Sequence, residues 1–183
     1  VALPNNYSLL QKIYYNFFLK NKLLNSKSII TVSQFSKNEI VKFIGVNENK
    51  IHVFYNGVFN NFKPLSEFSE ERKNAVKFKH RLPEKYIFAI GNHKPHKNLA
   101  KLIESYCKGN FQIPLVILSN SHEKLLEVVE KYNYKDKIHF INYIEEEDFP
   151  IIYCLCKAFI YISLYEGFGL PAIEAAACGV PTI

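Results

Sequence analysis

The sequence contains no methionine, and its four cysteines stand at spacings that no metal or redox motif uses. Cys154-Leu155-Cys156 lacks the two-residue gap of a zinc or thioredoxin pair. Cys107, Cys154, Cys156 and Cys178 each lie in an apolar stretch and are expected to be small core residues of a reducing compartment. Long apolar runs are missing too. The longest, residues 149–164, is interrupted by Pro150 and Lys157 and divides into a helix and a strand. It predicts no membrane span, and no segment reads as a secretory signal. Nor is there a compact basic block or an internal repeat. The net charge of +6 comes from lysines scattered through amphipathic segments. Such a balance suits an anionic small ligand or an acidic membrane surface, and its dispersion argues against a nucleic-acid partner.

What is present is core-forming. Hydrophobic residues make up 48% and aromatics 15%, against 22% charged, which excludes a disordered chain. At 183 residues the length suits one ordinary domain, or one and a half small ones. From residue 83 onward strands and helices alternate: strands near 85–91, 113–118, 137–141, 158–162 and 181–183, and helices near 97–106, 122–132, 146–156 and 171–178. That alternation predicts an α/β fold, a parallel sheet with helices on both faces.

The upstream part reads differently. Residues 7–24 carry Leu10, Ile13, Tyr14, Phe17 and Leu24 with interleaved lysines, an amphipathic basic helix. Packing into a domain core is expected of it, with a membrane-surface helix as the alternative. A strand over 28–33 follows. Ser36-Lys37-Asn38-Glu39 then reads as a capping box for a helix running to Phe43. A strand over 50–54 closes at the turn Asn56-Gly57. Residues 60–80 read as a polar linker with a charged helix.

Two stretches carry chemistry. The apolar run 158–162 reads as a buried strand, so residues 163–169 lie at its carboxyl end, where open α/β sheets bind ligands. Gly167 and Gly169 permit a tight turn and close approach of a ligand. Pro171 suits the first turn of the helix that follows, and Gly179-Val180-Pro181 ends it. The free N–H groups of that first turn, with the helix dipole behind them, suit a phosphate. Glu166 lies just before the helix and Glu174 about one turn inside it, so both can face one cleft and accept hydrogen bonds from sugar or ribose hydroxyls. In the second stretch, strand 85–91 ends in glycine and is followed by the basic loop 92–98. Leu99, Leu102, Ile103 and Tyr106 then recur at helical spacing.

Glu166-Gly167-Phe168-Gly169-Leu170-Pro171, with Glu174 eight residues after Glu166, resembles the nucleotide-sugar signature of retaining glycosyltransferases of family four. The loop with Lys97-Asn98 at a helix entry resembles the same family's phosphate loop. The resemblance implies the GT-B architecture. Residues 83–183 would form the Rossmann-like nucleotide-sugar domain, 59–82 a linker, and 1–58 the tail end of an amino-terminal Rossmann-like domain. It implies Glu166 as the catalytic carboxylate against the donor sugar and Glu174 on the ribose hydroxyls. Lys97 would meet the diphosphate as a point charge, beside Gly167, Phe168, Gly169 and Leu170. The backbone of Asn142-Tyr143-Ile144, after a strand, would meet the nucleobase, which makes Tyr143 a donor-binding candidate. Where relatives often carry arginine, this chain has Asn92 and His96, and His93, Lys94 or His96 can take that phosphate contact.

The implied activity is transfer of a sugar from a GDP- or UDP-linked donor to a glycan or lipid-linked acceptor, in cell-envelope polysaccharide synthesis. A cytoplasmic enzyme is expected, with peripheral contact at the inner face of the membrane as an option. Neither metal nor cofactor is implied, and no Asp-x-Asp pair occurs. The absence of methionine and the short upstream part lead us to expect a fragment. The alternatives are an inactive remnant that at most binds nucleotide, another GT-B enzyme such as a nucleotide-sugar epimerase, and an interaction module that uses only the core.

Overall fold

The computed structural model describes residues 8–92, 94–120 and 123–183. Tyr7, His93 and His122, which entered the sequence reading, lie outside them. The chain forms two compact units. The residues up to Gly57 join Glu166–Phe168 in one, and Val58–Tyr165 joins Gly169–Ile183 in the other.

In the first unit, α1 (Leu9–Ile13), a π-helical turn (Tyr14–Leu19) and α2 (Lys20–Asn25) run in succession. Then come β1 (Ile29–Thr31), α3 (Gln34–Ile44) and β2 (Ile51–Val53). β1 and β2 pair in parallel, Ile29 opposite Ile51. Ile29, Val46 and Ile51 form the buried centre, and Leu23, Ile40, Val41 and Ile44 pack on it.

Two expectations are corrected here. The cap of α3 is Ser33, whose hydroxyl accepts from the Ser36 N–H at 3.0 Å. Ser36 and Glu39 therefore lie inside the helix, because an equally good cap stands one turn earlier. The first helix was expected to pack into a core, yet none of its residues 9–25 is buried. Leu9, Leu10, Phe17 and Phe18 are all more than 60% exposed. Only Leu23, near its end, reaches the β1–β2 cluster.

In the second unit, α4 (Glu70–Lys79) precedes β3 (Ile87–Ile90), α5 (Leu99–Lys108), β4 (Leu115–Leu118) and α6 (Glu123–Lys131). β5 (Ile138–Ile141), α7 (Phe149–Leu155), β6 (Ala158–Ile160) and α8 (Leu170–Ala177) complete it. The strands lie in the order β5-β4-β3-β6, all parallel. Residues 181–183 extend the sheet beyond β6: Phe159 N–H donates to Pro181, and Ile183 N–H donates back to Phe159.

Side chains alternate along each strand, as the pleat requires. Phe88, Val116 and Phe159 enter a core with Val76 of α4, Ile151, Ile152 and Tyr153 of α7, and Ala175 of α8. Ala89, Leu115 and Ile117 face the opposite way, onto Leu102, Ile103 and Tyr106 of α5 and Leu125 and Val129 of α6. Helices thus cover both faces, as the near-continuous apolar strands predict. The helix within the segment read as linker, α4, buries Val76 completely in this core. Cys107, Cys156 and Cys178 are buried thiols and Cys154 is half-buried. No helix among the described residues is long and apolar enough to cross a membrane.

Gly179 ends α8 in the left-handed region, at φ 76°, where the Val180 N–H returns to the Ala175 carbonyl, a Schellman-type stop. A methyl group there meets no atom within 4 Å. Gly179→Ala therefore tests the backbone alone. It is expected to cost about 1 kcal/mol and to lower Tm by roughly 2–4 °C in a thermal melt. An unchanged Tm would contradict it.

Candidate functional site

The second unit's sheet has a switch point. After β3 the chain adds β4 and β5 on one side, then crosses back to lay β6 on the other. At such a point neighbouring loops leave the carboxyl edge in opposite directions and open a crevice. A cleft of about 440 Å³ lies along that edge, lined by residues that end β3, β4 and β5: Gly91 and Asn92, Ser119 and Asn120, Asn142 and Tyr143, with Lys97 on its wall. Three of the sequence-predicted donor residues, Asn92, Lys97 and Tyr143, thus share one cleft.

The loop's shape is set locally. The Asn92 side-chain oxygen accepts from the Lys94 N–H at 3.0 Å, a turn that asparagine side chains commonly make. Pro95–Lys97 forms a 3₁₀ turn, and Asn98 adopts φ 59° to start α5. Gly91 lets the strand end run close to that helix. A Cβ there would stand 3.1 Å from the Leu99 side chain. The exit of β6 is latched to the same loop, because the Leu164 N–H donates to the His96 carbonyl at 2.8 Å. His96 itself is not among the residues that line the cleft.

Gly169, at φ 85°, is the N-cap of α8, and Pro171 stands in its first turn. This matches the expected glycine-led helix entry. Gly167 does not share the left-handed conformation. With Glu166 and Phe168 it belongs to the first unit, where its carbonyl accepts from the Ser33 and Ser36 hydroxyls and Phe168 lies 6.1 Å from the Tyr55 ring. Leu170 opens α8 and is partly exposed.

Glu174 is half-buried within α8, and its carboxylate accepts from the Tyr153 hydroxyl at 3.1 Å. Burial pushes its pKa above the ordinary carboxylate value, and the Tyr153 hydrogen bond opposes that only in part. Tyr153 itself is fully buried among Phe88, Phe149 and Phe159. The carboxylate is therefore oriented by a hydroxyl whose ring the core holds rigid.

Sequence reasoning missed Ser119 and Asn120. Their signal was available: a small polar pair directly after an apolar strand, at the same edge as Gly91. It also missed a second polar cluster. Asp148, 1% exposed, accepts from Arg72 at 2.6 Å and from Lys79 and His80 at 2.8 Å each. His80, Glu145 and Asp148 come within metal-ligating reach of one another. Two cationic side chains already occupy the same carboxylate, so the cluster is an ion-pair clamp between α4 and the start of α7.

Residues 70–183 match the family described as Glycosyl transferases group 1, and residues 2–59 match Glycosyltransferase Family 4. The chain is 31% identical over 179 residues to the O-antigen chain mannosyltransferase RfbU of Salmonella typhimurium, covering 96% of this chain and 47% of that protein. It is 30% identical over 173 residues to the O-antigen chain mannosyltransferase B of Escherichia coli, covering 90% and 45%. The chain thus spans about half the length of the curated relatives it matches. The solved structure of Anabaena HepE in complex with UDP-glucose aligns with TM-score 0.79 at 18% identity, over 98% of this chain and 49% of that one. That likeness shows the fold, the GT-B fold expected from the resemblance.

Proposed function

The chain belongs to the group 1 glycosyl transferases, and we propose that it supplies the donor-nucleotide side of an enzyme that moves a sugar from a nucleoside-diphosphate sugar to an acceptor hydroxyl, with retention. The observation that carries this reading is the cleft at the carboxyl ends of β3, β4 and β5, where Asn92, Lys97 and Tyr143 converge. In the proposed complex the nucleobase lies along Asn142 to Ile144, and Glu174 accepts from the ribose hydroxyls. The diphosphate meets Lys97 and the N-terminal amides of α8. As the glycosidic bond breaks, negative charge grows on the leaving phosphate. A fixed ammonium and a helix N-terminus stabilise that charge without reorganising, the commonest large contribution to catalysis. Glu166 enters as the carboxylate that binds the donor sugar's hydroxyls. With lysine and a helix N-terminus in these roles, the reading calls for neither a metal nor a cofactor. The mannosyltransferase relatives support mannose as the transferred sugar and a cell-surface polysaccharide as the acceptor.

Calorimetric titration of the chain with UDP, GDP, UDP-glucose and GDP-mannose tests the donor site. One nucleotide series is expected to bind. Glu174→Gln, which keeps shape and removes charge, is expected to weaken that nucleotide roughly tenfold, the scale of a lost charged hydrogen bond. Binding strengthens as pH rises through the pKa of Glu174, because only the ionised carboxylate accepts from both ribose hydroxyls. A folded chain that binds neither series, or a Glu174→Gln variant of unchanged affinity, counts against the assignment.

A further inference from the structure

We infer that Tyr161 is a positioning residue of the donor site, its hydroxyl holding the Lys97 ammonium on the side of the cleft where α8 begins. The inference rests on the reading of Lys97 as the diphosphate contact. The Lys97 Nζ donates to the Tyr161 hydroxyl at 3.3 Å and stands 5.5 Å from the centre of its ring. A nitrogen that close to the hydroxyl yet that far from the ring centre lies off the hydroxyl rim rather than above the ring face. The contact is therefore a hydrogen bond first and a cation–π interaction second.

The ring's own place is fixed. It stacks on Phe159, with centroids 5.9 Å apart and planes 19° apart, and Phe159 is fully buried. The Tyr161 N–H donates to the Ile183 carbonyl at 2.7 Å, so the backbone is held by the extended sheet. The ring also approaches the cap of α8: a Cβ on Gly169 would stand 3.8 Å from Tyr161 Cε1. Tyr161 thus touches both positive groups proposed to share the diphosphate, the lysine through its hydroxyl and the helix N-terminus through its ring edge. A lysine carries four rotatable bonds, and ordering it on binding costs affinity. A hydroxyl that already accepts from the ammonium removes part of that cost and sets its reach.

The hydroxyl also defines the test. Tyr161→Phe keeps the ring, its stacking and the backbone, and removes only the acceptor. We would titrate the chain, Tyr161→Phe, Lys97→Ala and the double variant with UDP and uridine, and with GDP and guanosine. Tyr161→Phe is expected to weaken the bound nucleoside diphosphate roughly three- to tenfold while the matching nucleoside changes less than about twofold. In the Lys97→Ala background the second substitution is expected to add nothing. Equal affinity of Tyr161→Phe for the diphosphate, equal weakening of nucleoside and diphosphate, or additive losses would each overturn the inference.

A second measurement needs no nucleotide. In ¹H–¹⁵N spectra of the lysine ammonium groups, the Lys97 signal, identified by its loss in Lys97→Ala, is expected to shift or broaden away in Tyr161→Phe. An unmoved signal overturns the contact itself. A moved signal with no nucleotide bound by the unsubstituted chain overturns the donor-site reading, and the positioning role with it.

Discussion

Replacing Lys97 with alanine is expected to weaken the bound nucleoside diphosphate roughly 10- to 100-fold, the range for losing a hydrogen bond to a charged group. Lys97 reaches the cleft wall from a turn fixed at three points: the Asn92–Lys94 side-chain bond, the left-handed Asn98 and the Leu164 latch on His96. None of these uses the lysine side chain. The substitution therefore leaves the loop in place, and the melting temperature is expected to stay within about 1–2 °C, as for a surface change away from the core. Charge is the larger part of the effect, so it has a salt signature. Affinity of the unsubstituted chain falls as ionic strength rises, while the alanine variant responds less. Lys97→Arg is expected to fall between them, since a planar fork does not reproduce the reach of a compact ammonium. An alanine variant that binds as tightly as the original chain at low salt would remove Lys97 from the site.

How much of this was legible in the sequence follows from the distance over which each feature is encoded. The strand, glycine turn, proline and helix at 158–178 are written within about twenty consecutive residues, and Gly169, Pro171 and Gly179 stand in the roles their chemistry predicts. Phe88 and Ala89 enter opposite cores, as expected of an apolar run too short for a helix. The cap of α3 went to Ser33 because two serines three residues apart both suit an N-terminus, and spacing alone does not choose between them. Pairings across long separations were not legible. Tyr161 meets Lys97 across 64 residues and Tyr153 meets Glu174 across 21. Tyr161 lies in a run read as a buried strand and Tyr153 in a predicted helix, and neither reading says what the hydroxyl meets. Only the folded sheet shows where the hydroxyls end. Similarly, Asp148 reads as one acid among Glu145, Glu146 and Glu147. Its burial depends on α4, whose Arg72 lies 76 residues away.

That buried carboxylate carries the largest stability effect expected of a single change. Asp148 stands at the N-cap of α7 and takes hydrogen bonds from Arg72, Lys79 and His80 of α4 and its end. Val76 is sealed beneath the same helix. Asp148→Asn keeps the volume but removes the charge, leaving three donors turned toward an amide whose single oxygen cannot serve them all. The cations left behind, Arg72 and Lys79, are 41% and 44% exposed, so water takes up part of the loss. The cost is expected to be about 2 kcal/mol, that of hydrogen bonds to a charged group, and the second unit's Tm to drop by roughly 4–8 °C. The pH dependence fixes the cause. Burial raises the Asp148 pKa, but hydrogen bonds from Lys79 and His80 and the charges of Lys79 and Arg72 outweigh it, and the folded value lies below the ordinary one. A depressed carboxylate contributes stability that is fully present above its unfolded pKa of about 4 and is lost as pH falls through the folded value. The gap in Tm between the unsubstituted chain and its Asp148→Asn variant should therefore be constant near neutrality and close below about pH 4. Thermal melts of both chains between about pH 3 and pH 7 span that window. A gap that persists undiminished into acid would mean that shape or packing, and not the charge on Asp148, holds α4 against α7.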